Sequence, residues 1–308
     1  MVNGRVIVAT MLLAASAHAT DTPAPGVDTS ESVYATTTRL DRIGRILAPV
    51  MINGGGPYRL IVDTGANTSA LSEHLVTRLG IAADPGDQIM VNGATGSALL
   101  ASVRVAQFRA GDLLQTDLML PIIVTDVAAG ADGILGIEGL AGKRLEVDFL
   151  HDRVTVTNAS RRFAGRGYLQ LEGQMRFGGL IVVNARVGDV RAKAVLDTGA
   201  ERSVGNQRLL DALKRHALRT RGAREDVLIG ATTDVMRGNT MFVPTVHIGD
   251  ADLSNLEVMF VELPLFDLWD LDRTPALVLG MDLLGTVEQI VIDYRRSEIY
   301  IKPRRTRG

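Results

Sequence analysis

Two aspartates, Asp63 and Asp197, occur in nearly the same context: residues 60–71 read LIVDTGANTSAL and residues 194–204 read AVLDTGAERSV. A given four-letter string such as DTGA is expected in on the order of 0.01 of chains this long, so the repeat is not coincidence. Two carboxyls held about 3 Å apart cannot both ionise, and such a pair carries one proton between two macroscopic pKa values. The ionised member takes a proton from a bound water while the protonated member donates to a carbonyl oxygen. This is chemistry for adding water across an amide, with neither a metal nor a covalent intermediate. The two copies are so alike that either aspartate fits either part.

Each aspartate closes an apolar strand, Ile61 and Val62 leading into Asp63, Val195 and Leu196 into Asp197. Gly65 and Gly199 follow two residues on, where a side chain would obstruct main-chain N–H groups approaching a carboxylate. Further along, each copy has two apolar residues and a glycine, Ile134-Leu135-Gly136 and Val278-Leu279-Gly280, and then a strand pair, 144–156 and 289–301. The offset between copies is 134 from Asp63 to Asp197, 137 from Gly93 to Gly230, 144 from Gly136 to Gly280 and 145 from Asp148 to Asp293. A two-unit repeat of this length predicts two homologous β-rich lobes, with an insertion late in the second.

The DTGA loops, the small polar and apolar residues after them (Ser69-Ala70-Leu71, Ser203-Val204) and the downstream glycines resemble the retropepsin-like aspartic proteases. The likeness covers nearly all of residues 39–303. It implies a mainly all-β fold of two homologous retropepsin/pepsin-like β-barrel lobes with short helices and an active-site cleft between them. It makes Asp63 and Asp197 the catalytic pair, with Thr64, Gly65 and Ala66 and Thr198, Gly199 and Ala200 as supporting loops. Thr64 and Thr198 are expected to lock the loops by a reciprocal hydroxyl-to-backbone grip. Asn67, Thr68, Glu201 and Arg202 fall at substrate-contacting positions, and their differences imply unlike preferences at the two ends of the cleft. Residues 91–96 and 228–233 match glycine-bearing flap hairpins, so Gly93, Ala94, Gly230 and Ala231 are expected over the substrate, although turn chemistry alone also allows ordinary hairpins. Neither turn has a tyrosine, which departs from the pepsin-like pattern. A chain carrying both loops is expected to be a complete monomer acting on a polypeptide without cofactor.

The remaining segments read as follows. Residues 1–19 combine Arg5, an apolar run over 6–15 and Ala17-His18-Ala19, the pattern of a secretory signal peptide cut after Ala19, with a retained anchor as the alternative. Cleavage would leave a periplasmic or secreted chain with no stable membrane insertion. Residues 20–38 read as a flexible tether, 39–157 as the N-terminal lobe, 158–175 as an Arg- and Gly-rich linker, 176–303 as the C-terminal lobe and 304–308 as a basic tail. Leu71, Leu75, Val76 and Leu79 before Gly80 predict a short amphipathic helix, and Leu209, Leu210, Leu213 and Leu218 repeat it. The insertion at 262–275 contains Leu265, Phe266, Leu268 and Trp269. It is expected either to border the cleft as an apolar pocket or docking surface, or to cover a strand edge of its own lobe.

Other chemistries find little support. The chain has 308 residues, net charge −2 and 4% aromatics, which argues against a nucleic-acid partner. It has no cysteine, hence neither a disulfide framework nor a thiolate nucleophile. His74, His151, His216 and His247 lack the spacing of zinc ligands, and no Gly-x-Ser-x-Gly elbow occurs. Gly54-Gly55-Gly56 reads as a hairpin turn, since no Gly-Lys-Ser/Thr follows. The rival to a peptidase is a catalytically idle peptide-binding module on the same fold, though a binder has no evident reason to keep two mutually repelling carboxylates.

Overall fold

A computed structural model describes residues 6–9, 12–14, 35–37, 39–40 and 44–304, apart from 125, 127, 129, 152, 178 and 216–220. The cleavage site expected after Ala19, most of the tether, Leu218, His216 and the tail beyond 304 lie outside the described residues.

The apolar runs before the aspartates form strands Gly55–Val62 and Val190–Leu196, and each is the inner arm of a hairpin. The two-apolar-plus-glycine motifs supply their parallel neighbours. Gly133–Leu135 pairs with Gly55–Val62, and Ala276–Leu279 with Val190–Leu196, so Ile134 lies against Ile61 and Val278 against Val195. Only the last three residues of each strand, 60–62 and 194–196, are buried on both faces, which is why those stretches read as apolar runs. In both lobes a third strand, Ala70–Ser72 or Val204–Gly205, returns from the aspartate loop and pairs antiparallel with the motif strand. This three-strand unit is what holds each DTGA loop.

After the loop each lobe has one short helix. α1 (Glu73–Leu79) is capped by Ser72, whose hydroxyl accepts from the Leu75 N–H at 3.1 Å, and stopped by Gly80 at φ 64°. α2 (Gln207–Arg215) buries Leu209, Leu210, Ala212 and Leu213, and Asn206 caps it by accepting from Leu209 N–H at 2.9 Å. Long hairpins follow, Asp84–Gly93 with Ser97–Ala110 and Arg221–Gly230 with Val235–Phe242. The first-lobe sheet curls until Ile46–Ile52 meets Ser97–Ala110, but only at Met51–Arg109 and Ile52–Phe108. The lobes are therefore curled sheets and not cleanly closed barrels.

The lobes share a sheet. Its strands run in the order Leu169–Arg176, Glu298–Lys302, Gln289–Asp293, Lys143–Asp148, Arg153–Asn158 and Ala35–Thr37. The central pair comes from different lobes, with Arg144 opposite Asp293 and Asp148 opposite Gln289. The last part of the linker is thus a strand, because Leu171 is buried where it meets Ile299. Arg162 makes a 2.9 Å ion pair with Glu298.

The insertion is also settled by burial. After Glu257–Phe260 it folds as α3 (Pro264–Leu268), and Leu263, Leu265, Phe266, Trp269 and Leu271 are all buried in the main core. Trp269 is fully enclosed, so it is not the wall of an open pocket; only Leu268 of the cluster is exposed. Asn206 binds the insertion in place, donating to the Leu271 and Thr274 carbonyls at 2.9 and 2.8 Å. The second-lobe motif strand continues into α4 (Met281–Leu284).

Candidate active site

The two DTGA loops meet. Thr64 donates its hydroxyl to the Leu196 carbonyl at 2.8 Å and Thr198 donates to the Val62 carbonyl at 2.6 Å. Each hydroxyl also accepts from the other threonine's N–H, both at 3.1 Å. Four hydrogen bonds, all buried, therefore cross between loops 134 residues apart, as the reciprocal grip requires. The aspartates' main chains are fixed from below, Asp63 N–H donating to Leu135 and Asp197 N–H to Leu279, both at 3.0 Å.

Both carboxyls are fully buried. Asp63 Oδ1 accepts from Gly65 N–H at 2.9 Å, whereas Asp197 Oδ1 accepts from Gly199 and Ala200 at 2.8 and 3.2 Å. The Oδ2 atoms meet no donor among the other described residues, so the carboxyls are left as each other's hydrogen-bond partner. Each DTGA glycine presses on the opposite aspartate. A Cβ on Gly199 would lie 2.2 Å from Asp63 Cγ, and one on Gly65 2.6 Å from Asp197 Cγ. Neither position admits a side chain without moving a carboxyl.

This enclosure sets the electrostatics. Burial first, then the charge of Asp197, raises the Asp63 pKa well above the usual carboxylate range, against the Gly65 N–H and the Arg45 guanidinium. Burial also raises Asp197, to about 6, but the hydrogen bond with Asp63, the two N–H donors and Arg45 restrain it. Asp63 is therefore the better proton holder and Asp197 the better carboxylate, an asymmetry traceable to one donor against two. Arg45, wholly enclosed at the start of Ile46–Ile52, acts on both.

Around the pair, equivalent residues do equivalent work. Ser69 and Ser203 hydroxyls accept from Gly136 and Gly280 N–H groups at 3.0 and 3.1 Å. Their own N–H groups donate to Glu138 at 2.6 Å and Asp282 at 3.0 Å. Glu138 is only partly buried by area, but its Oε2 is cut off from water, and burial raises its pKa to about 7. Asp282 is raised for the same reason. Neither acid was singled out from the sequence, although both stand two residues after the motif glycine, a repeated spacing that marks them. Arg45 carries no such signal.

The flap hairpins turn at residues 93–97 and 230–235 and touch tip to tip. A Cβ on Gly93 would meet Thr232 at 3.1 Å, one on Gly230 would meet Thr95 at 2.3 Å, and one on Gly96 would meet Asp234 at 2.2 Å. Ala94 and Ala231 are buried there. Val91 and Ala231 share an apolar cluster with Ala66 and Ala70, which places the tips above the first DTGA loop. Asn67, Thr68, Glu201 and Arg202 flank the loops and are half-buried. Arg202 turns to Glu257 at 3.3 Å on its own lobe. Among the described residues no cluster of three His, Asp or Glu gathers as metal ligands.

A family model described as aspartyl protease matches residues 48–138 and 183–283, more than half the chain and one match per lobe. No curated protein matches the chain. The chain belongs to the aspartyl protease family.

Proposed function

We propose that this aspartyl protease family member is an endopeptidase whose reacting groups are Asp63 and Asp197. The observation that carries the reading is the enclosed carboxyl pair, joined across the lobes and held by Thr64, Thr198 and the two glycines. A binding module would gain nothing from two buried acids that repel one another when ionised.

The hydrogen-bond asymmetry assigns the parts. Asp197, with two main-chain donors, is the carboxylate that takes a proton from water as the water oxygen attacks the peptide carbonyl carbon. Asp63 holds the shared proton and gives it to the carbonyl oxygen. Collapse of the resulting gem-diol breaks the C–N bond, the amine nitrogen leaves with a proton, and the pair returns to one proton. No metal or covalent enzyme intermediate enters these steps. Asn67, Thr68, Glu201, Arg202 and the flap residues Gly93, Ala94, Gly230 and Ala231 are the proposed peptide-contacting positions. The substrate is a polypeptide, the working unit is one chain, and the site of action follows export with cleavage after Ala19. Among the described residues no helix is long and apolar enough to cross a membrane.

The form with one proton exists above the Asp197 value, so activity should rise as pH passes about 6 and fall only once Asp63 also ionises. The test is a peptide-library digest across acid to alkaline pH, with Asp63→Asn and Asp197→Asn alongside. Both variants should fold and lose about 10³-fold or more in kcat/KM. Cleavage surviving in either would end the proposal.

A further inference from the structure

We propose that an arginine-rich strap over the back of the shared sheet docks this chain on a phospholipid membrane with anionic headgroups, the flaps facing away from it. Residues 159–168 cross the outer face of that sheet and are pinned at both ends. Ala159 N–H donates to the Gly142 carbonyl at 2.9 Å, and the Tyr168 hydroxyl bonds Gln289. Between them Phe163 packs against Tyr300 and edge-on to Tyr168, with ring centroids 4.9 and 4.8 Å apart. The strap is therefore fixed, and so are the charges it carries.

Six guanidiniums stand on it or beside it. Arg144 donates to the Arg161 carbonyl and, at 3.2 Å, to Asp293. Arg296 reaches the same Asp293 oxygen at 3.1 Å and the Ala159 carbonyl at 3.3 Å, and Arg295 shares that carbonyl at 3.3 Å. Arg162 has Glu298 at 2.9 Å. Arg161 and Arg166 are exposed, and their guanidiniums meet no acceptor among the described residues. Two carboxylates thus answer six cations, an excess of four in a chain whose net charge is −2. Glu146, the next acid along that face, has Arg153 beside it as well as Arg144. Elsewhere exposed arginines are matched one to one, Arg78 with Asp132, Arg104 with Asp117 and Arg237 with Glu225.

Guanidinium pairs a phosphate through two parallel N–H groups, and clusters of about four to eight such charges hold proteins to anionic lipid. An acidic peptide substrate suits the patch less well, because the patch does not open on the cleft. In the turn after Asp293, Tyr294 points into the main core, where the charge of Asp63 bears on it, while Arg295 next to it is exposed. The flap-tip residues Val91 and Ala231 instead reach the first catalytic loop through the separate apolar cluster around Ala66. Patch and flaps thus approach the aspartates from opposite sides, and a docked chain keeps its cleft toward solvent. An exported chain meets such a surface as it leaves the membrane, and peripheral docking needs no spanning helix. The docking does not rest on the peptidase reading.

Vesicle cosedimentation of the full-length protein tests it. The chain should bind vesicles of phosphatidylglycerol and phosphatidylcholine at least tenfold more tightly than phosphatidylcholine alone, and added sodium chloride should release it. Arg161→Gln, Arg162→Gln and Arg166→Gln together should abolish that preference. Arg104→Gln, Arg186→Gln and Arg237→Gln, which remove the same charge elsewhere, should leave it at about the wild-type value. Where the first triple lowers the melting temperature, Arg161→Gln with Arg166→Gln replaces it, since neither guanidinium is bonded to the rest of the fold. Equal binding to both vesicles, or equal losses from the two triples, would overturn the proposal. Release by inorganic phosphate, at an ionic strength where chloride leaves the protein bound, would overturn it in favour of a free-anion site. Stronger binding to polyglutamate than to the anionic vesicles would overturn it in favour of an acidic polypeptide.

Discussion

The two lobes agree wherever their joint action needs symmetry and diverge wherever one copy suffices. The threonine grip, the glycine contacts and the Ser69 and Ser203 bonds recur on both sides. At an offset of 134 the first-lobe Arg45 corresponds to Gly179, so the buried cation acting on both carboxyls comes from one lobe alone. Ser72 and Asn206 both cap the helix after the loop, but only Asn206 also ties down an insertion. A shared proton needs two matched loops; tuning the pair needs one charge.

The comparison can be broken at several depths. After the aspartates themselves, the largest effect should come from the lobe-specific insertion. Trp269→Ala empties a fully enclosed site and should cost about 3–5 kcal/mol in chemical unfolding, with activity per folded molecule kept. A loss of turnover without a loss of stability would restore the insertion to the cleft. Next, Thr64→Val and Thr198→Val should destabilise equally, about 1–3 kcal/mol each, because each removes one donor and orphans one buried N–H. Unequal losses measured by denaturant would show that the grip is less symmetric than its geometry.

Arg45→Met should move the whole pH–activity profile to higher pH, since the guanidinium lowers both carboxyls. A profile that stays in place would remove Arg45 from the electrostatics. The smallest effect should come from Glu138→Gln. The folded pKa of Glu138 is raised from 4.5 to about 7, so its contribution favours folding below 4.5 and is lost as pH rises through 7. The variant should therefore gain melting temperature relative to wild type above pH 7 and converge with it in acid. Asp282→Asn should show the same trend, and a reversed sign in either would place that carboxylate in a better-solvated setting.

Much of this was legible in the chain itself. The duplicated DTGA strings gave the loops, their apolar lead-ins gave the strands, and the glycines at 93 and 230 located the flaps, because each of these is local pattern. The helix stop at Gly80 was readable for the same reason. What escaped depends on contacts between distant segments. Arg45 looks like the polar start of a strand, and only the fold encloses it. The segment Leu169–Arg176 follows an Arg- and Gly-rich stretch that hides its alternation of Leu169, Leu171 and Met175 with polar residues, and it becomes a strand because Glu298–Lys302 and Leu180–Val187 offer it edges. The 262–275 insertion has neither a strand nor a helix period long enough to reveal which of its faces would be buried. Glu138 and Asp282 were the avoidable omission, for their spacing repeats as faithfully as the motif before them.

The sheet shared by the lobes has a consequence for the order of events during synthesis. Lys143–Asp148 completes its ladder only on Gln289–Asp293, with partners 141 to 149 residues apart in sequence. The second lobe must therefore be made before the first can settle its own border, and contacts this far apart in sequence close slowly. A half-made chain therefore lacks both the second aspartate, Asp197, and a finished edge to its first lobe.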